Sequence, residues 1–110
     1  MADYACVIQQ GQSADAHRSE LELGLRRIGQ ESFGDDPAAT RIAWTVVPRG
    51  MAWTAGEPSS SSIVIRSVPP GLPLPEREAF LRRVCALFER VTGCSADEVV
   101  VTAWDGPLPL

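Results

Sequence analysis

Tyr4, Cys6, Val7 and Ile8 form an apolar run that predicts a strand over Tyr4 to Gln10. The period then lengthens. Leu21, Leu25 and Ile28 repeat at i, i+4 and i+7, the spacing of one helix face, with Ser13 able to cap the helix and Asp15 in its first turn. Gly34 and Pro37 end that helix ahead of a second strand near Arg41 to Val47. Pro48 to Ser62 is rich in Pro, Gly and Ser and reads as a long turn or small hairpin. Ser62 to Val68 is a third strand, and Pro69-Pro70-Gly71 a turn. Pro75 suits the first turn of a helix whose buried stripe is Phe80, Val84, Leu87, Phe88 and Val91, closed by Gly93. Glu98 to Trp104 is the last strand.

The two halves superimpose with a constant shift of 56 residues. Val7-Ile8 falls on Ile63-Val64, Leu25-Arg26-Arg27-Ile28 on Leu81-Arg82-Arg83-Val84, and Ala43-Trp44-Thr45 on Val99-Val100-Val101. Three landmarks at one offset imply a duplicated strand-helix-strand unit: unit one over about 2–47, a linker over about 48–61 and unit two over about 62–104, in a single domain spanning 1–110. A right-handed crossover in each unit puts both helices on the same side. The expected fold is therefore α+β, two fused β-α-β units giving a four-stranded mixed sheet with two helices on one face. Ile42, Trp44 and Val46 alternate with Ala43 and Val47, and Val99, Val101 and Ala103 with Val100 and Trp104, so several strands are apolar on both sides. The face without helices needs a partner, most economically another copy of the chain. A ferredoxin-like domain has the same element order but joins its middle strands by a short hairpin, whereas about fifteen residues separate them here.

Composition narrows the partners. Among 110 residues, ten are basic and fourteen acidic, with no Lys/Arg run interleaved with aromatics, so nucleic acid is not expected. No apolar run approaches the length of a membrane span, and Asp3 stands where a signal peptide would be basic; a cytoplasmic, soluble chain is expected. Cys6, Cys85 and Cys94 are odd in number and unpatterned, which fits reduced thiols. One histidine, His17, without a Cys or carboxylate cluster leaves no metal site, and no cofactor is expected.

Strand order, duplication and length, together with Ile8 to Ser13 (IQQGQS) after the first strand and Thr40 to Glu57 (TRIAWTVVPRGMAWTAGE), resemble the tautomerase superfamily, including 4-oxalocrotonate tautomerase and the cis-3-chloroacrylic acid dehalogenase group. The resemblance implies a homotrimer acting on a small carboxylate, with an amino-terminal proline, exposed by loss of the initiator Met, as general base. An amine near neutral pKa can serve as such a base, and arginines in its pocket hold the substrate carboxylate and the developing oxyanion. Carried onto this chain, the proline's place is taken by Ala2, whose nitrogen is a free amine only if Met1 is removed. Gln12 replaces the arginine of the first turn, Arg41 matches the arginine at the head of the second strand, and Trp53 lies within one position of the aromatic pocket wall. The two arginines that dehalogenase-like members carry after the third strand fall near Pro70 and Pro73, and Arg66 substitutes only if it points into the same pocket.

Each residue also has a plain structural reading. Arg41 is equally a surface charge at a strand end, and Arg66, in an apolar strand, calls for a carboxylate from a neighbouring subunit. Trp44 and Trp104 suit the core or subunit contacts; Arg26, Arg27, Arg82, Arg83 and His17 suit solvated helix faces. No positional support exists for a Ser-His-Asp triad. Two functions remain: an atypical tautomerase-like isomerase, or related hydratase or dehalogenase, acting on a small unsaturated or 2-oxo carboxylic acid; and a non-catalytic binding or assembly subunit of the same fold, beside an active paralogue.

Overall fold

The computed structural model describes residues 2–109. Period-two alternation in β1 (Tyr4–Gln9) turns Tyr4, Cys6 and Ile8 toward the helices, where all three are buried. The helix expected from Ser13 is in fact two: a single turn, α1 (Ser13–Ala16), and α2 (Arg18–Phe33), separated at His17. Ser13 is not the cap but the first helical residue. Its carbonyl lies 2.7 Å from His17 Nδ1 and its hydroxyl 3.3 Å from the same nitrogen, so the hydroxyl is engaged inside the turn. The cap position is Gln12, and Asp15 closes the entry by accepting the Gly11 N–H at 3.0 Å. His17 is thus half-buried and locally bonded, not simply solvated.

Gly34 ends α2 in the left-handed conformation (φ 71°), its N–H donating to the Gln30 carbonyl. The loop that follows is pinned by Arg26, whose guanidinium donates to the carbonyls of Pro37 and Thr40 at 2.6 Å each. Arg26 therefore leaves the set of solvated helix arginines and acts as a loop anchor. After β2 (Ile42–Val47) the linker forms a small hairpin, β3 (Trp53–Thr54) and β4 (Glu57–Pro58). Then come β5 (Ser62–Val68), α3 (Leu74–Thr92), a 3-10 turn (Ala96–Glu98) and β6 (Val99–Asp105).

The main sheet has the order β2-β1-β5-β6. β1 and β2 are parallel, as are β5 and β6, while β1 and β5 are antiparallel with Tyr4 opposite Arg66 and Cys6 opposite Val64. Each β-α-β unit thus contributes one parallel pair, and the first strands of the two units meet in the middle. This is the expected α+β mixed sheet. The ferredoxin-like order is excluded because β2 pairs with β1 and not with β5.

Leu21, Leu25 and Ile28 of α2 and Phe80, Val84, Leu87 and Phe88 of α3 cover Tyr4, Ile8 and Val64 in one core. The helices approach closely at Gly24, where a Cβ would lie 2.3 Å from Leu87 Cδ1. Trp44 joins this side and donates its indole N–H to Glu22 at 2.6 Å. The opposite face stays open: Ile63, Val100 and Trp104 are 39%, 53% and 43% exposed. None of the described helices is long and apolar enough to cross a membrane.

Candidate functional site

Parallel pairing brings the heads of β1 and β2 together, and Asp3 ties them. Its N–H donates to the Arg41 carbonyl at 2.8 Å, its carboxylate accepts the Arg41 N–H at 2.8 Å, and its carbonyl accepts the Ser67 N–H at 2.9 Å. Residue 2 is thereby held between the start of β2 and the end of β5, next to the backbone of an exposed Arg41. Met1 itself lies outside the described residues.

Beside Ala2 is a cleft of about 390 Å³, at the lower end of the size range of small-molecule sites. Arg66 lines it but is not a free cation. Its guanidinium donates to Asp35 Oδ2 at 2.6 Å and Oδ1 at 3.1 Å, and to the Ser67 carbonyl at 2.7 Å. It is stacked between the rings of Tyr4 and Phe33, 4.8 Å from each centroid. Burial works against the Arg66 charge, but the Asp35 hydrogen bonds and the charges around it outweigh that and hold its pKa above the ordinary value. The carboxylate expected from another subunit is thus supplied by this chain's own Asp35. Tyr4 completes the network, donating its hydroxyl to the Leu25 carbonyl at 2.8 Å; burial foremost pushes its pKa up to about 12, so it stays a neutral phenol.

Gln12 and Trp53 lie at the other end of the sheet. Gln12 follows the end of β1, and Trp53, 63% exposed, donates its indole N–H to the Gly50 carbonyl at 2.9 Å in the hairpin beyond β2. A single chain therefore unites Ala2, Arg41 and Arg66 at one end and separates them from Gln12 and Trp53 by the length of β1, roughly 20 Å.

The second unit repeats the arrangement with different chemistry. Near the heads of β5 and β6, Glu98 accepts the hydroxyls of Ser60 and Ser95 and the Ser95 N–H. These hydrogen bonds, that of Ser60 first, lower its pKa to about 2. A carboxyl depressed on folding stabilises the native state above its unfolded pKa of about 4.3, and that contribution is lost as pH falls toward the folded value. Glu98→Gln is accordingly expected to lower the urea midpoint at neutral pH, with the gap to wild type closing between about pH 5 and pH 2; a gap independent of pH would refute the assignment.

Asp3 and Asp35 are the members of the site that sequence reading misses. Asp3 gives no signal beyond adjacency to residue 2. Asp35 is 31 residues from Arg66 and belongs to no periodic face. Among the described residues no group of three His, Cys, Asp or Glu side chains is gathered as a metal site. Cys6 is buried, which pushes its thiol up to about 12 and leaves it unreactive.

No protein-family model matches the chain, and no curated protein matches its sequence. Solved structures do match. The native crystal structure of Ps01740 is 27% identical with a TM-score of 0.84, covering 94% of this chain and 93% of that one. Pt0534 inactivated by 2-oxo-3-pentynoate is 21% identical with a TM-score of 0.82, over 94% and 85% of the two chains. N1, a member of the cis-3-chloroacrylic acid dehalogenase family, is 13% identical with a TM-score of 0.82, over 94% and 74%. Fused 4-OT proteins solved as symmetric and asymmetric trimers share the fold at TM-scores of 0.80 and 0.81.

Proposed function

We propose, from the tautomerase fold that this chain shares with those structures, that the protein is a tautomerase-like isomerase working as a homotrimer on a small 2-oxo or unsaturated carboxylic acid. The observation that carries this reading is the junction at Asp3, which holds residue 2 against the head of the strand that bears Arg41. Once Met1 is removed, the Ala2 amine takes a proton from the carbon next to the 2-oxo group. The electron pair shifts onto the oxygen as an enolate, and the proton returns to a different atom of the conjugated system. Arg41, exposed at the strand head, holds the carboxylate and offsets the oxyanion. Inactivation of Pt0534 by a 2-oxo acid supports this substrate class. The open face of the sheet supports assembly, and assembly supports the site: another copy is what can bring Gln12 and Trp53 to the Ala2 end.

Intact mass spectrometry tests the base directly, since retained Met1 makes the Ala2 nitrogen an amide. With Met1 absent, ketonisation of phenylenolpyruvate or 2-hydroxymuconate should exceed buffer, and Arg41→Ala should lower kcat/KM about 10²-fold, with Arg41→Lys intermediate. Unchanged kinetics in Arg41→Ala would remove its assigned role, and ketonisation no faster than in buffer would favour the non-catalytic binding or assembly subunit.

A further inference from the structure

The duplication gives the compartment that Arg66 fills a counterpart in the second unit. Tyr4 opens β1 opposite Ile42 of its parallel neighbour, and Ser62 opens β5 opposite Val99 in the same way. Phe33 and Asp35 flank Gly34, which ends α2, and Thr92 and Cys94 flank Gly93, which ends α3. Ser62, Thr92 and Cys94 therefore stand where Tyr4, Phe33 and Asp35 enclose the Arg66 guanidinium in the first unit. Both rings are gone. The three residues instead line an open cleft of about 210 Å³, smaller than the roughly 300 Å³ at which sites for drug-sized ligands begin and so sized for a head group.

Glu98 lines the same cleft with its carboxylate ionised, since the hydrogen bonds from Ser60 and Ser95 hold its pKa at about 2. Those bonds take three of the roughly four acceptor positions of a carboxylate and leave one for a ligand. The last turn of α3 borders the cleft too, and the aligned peptide units of its 19 residues put about half a negative charge at that end. Arg90, the basic residue of that turn, borders the groove between α2 and α3 instead. The one-turn α1 on the other side is too short to build a comparable positive end. Ser62 is only 6% exposed and makes no side-chain hydrogen bond among the described residues, yet no buried side-chain polar atom among them lacks a partner, so its hydroxyl opens onto the cleft.

We infer that this cleft, at the far end of β1 from residue 2, is a binding site for a guanidinium head group. A guanidinium offers planar N–H donors to a carboxylate, a hydroxyl and helix-end carbonyls at once, which a spherical cation or a neutral amide does not. In the first unit the same chemistry is closed, because the guanidinium belongs to the chain itself and its carboxylate is Asp35. In the second unit the carboxylate is Glu98 and the guanidinium comes from outside.

Methylguanidinium chloride and its neutral near-isostere N-methylurea are titrated into the assembled full-length protein at constant ionic strength, in the millimolar range, and followed by amide chemical shifts. Methylguanidinium is expected to bind at least about tenfold more tightly, with shifts gathered at Ser62, Gly93, Cys94 and Glu98. Glu98→Gln should weaken its binding at least about tenfold and Ser62→Val about fivefold; the second variant decides if the first does not fold. N-acetylarginine methylamide carries the same head on a peptide backbone and separates two sources. Equal affinity admits a protein-borne arginine, and affinity at least about tenfold lower restricts the cleft to free small molecules. Equal binding of N-methylurea overturns the inference, as do shifts spread over the acidic surface, no shifts at the cleft because another copy covers it, or an affinity unchanged in Ser62→Val. The role of residue 2 is read by turnover and stands or falls separately.

Discussion

Asp35→Ala is expected to lower the unfolding free energy by about 3–5 kcal/mol, a large share of the about 5–15 kcal/mol that holds a typical domain. The reason is the state in which it leaves Arg66. That side chain is 6% exposed and enclosed by Tyr4 and Phe33, so little water reaches it to replace the two hydrogen bonds from its terminal nitrogens. Deprotonation offers no escape either, since a guanidinium stays charged at any ordinary pH. Replacing both partners behaves differently. Asp35→Ala combined with Arg66→Met removes the buried charge altogether, so the double variant is expected to be more stable than Asp35→Ala alone. Gly29→Ala attacks the same network from the helix. A Cβ there would lie 2.3 Å from Asp35 Oδ2, 3.0 Å from an Arg66 terminal nitrogen and 3.1 Å from the Tyr4 hydroxyl, so the ion pair fits only because residue 29 has no side chain. Urea titrations at one fixed protein concentration measure all three, because assembly makes apparent stability concentration-dependent. A loss below about 1 kcal/mol in Asp35→Ala would mean that the pair behaves as a surface salt bridge and that Arg66 is accessible to solvent.

This ion pair also marks where sequence reading stops. The strands and the helix stripes are legible because each is a local period, and the duplication is legible because three such periods recur at one offset. Together they constrain the sheet to two parallel pairs with both helices on one side. Arg66 shows up as an anomaly, a charge in an apolar strand that must have a partner. Its partner does not show up, because Asp35 lies in an aperiodic loop just past the end of α2 and reaches Arg66 only once that helix is packed on the sheet. Arg26 is hidden for a similar reason: its acceptors are carbonyls, which every residue has and which no pattern distinguishes. The split at His17 carries no periodic signal: the His17 ring nitrogen lies against the Ser13 carbonyl and hydroxyl, and a propensity-based reading makes Ser13 the cap instead. The site is half legible. Ala2 and Arg41 come together through parallel pairing, which the β-α-β pattern implies. Gln12 and Trp53 do not join them within one chain, because the two ends of a six-residue strand cannot meet.

That separation and the open sheet face lead to the second large effect, on assembly. Wild-type protein is expected to sediment as a trimer of the 11.9 kDa chain at micromolar concentration, and Val100→Asp as a monomer. Val100 is 53% exposed on β6 and pairs in register with Ile63, itself 39% exposed on β5, and Trp104 continues the same side of β6 at 43%. An apolar face of this kind, with no helix of its own chain above it, gains by being covered. An aspartate at its centre would have to be buried without a partner in every copy, so the penalty counts three times in a symmetric trimer. The fold of the single chain should survive, because Val100 points away from the core formed by Val64, Phe80 and Leu87. Far-ultraviolet circular dichroism should therefore stay native-like while sedimentation changes. Activity provides a second readout that a local defect would not produce: Val100 touches none of the residues at the Ala2 end, yet its substitution should abolish turnover by withdrawing the neighbour that completes the pocket. Unaltered sedimentation in Val100→Asp would show that this face is not the interface, and a monomeric variant retaining full activity would show that one chain holds a complete site.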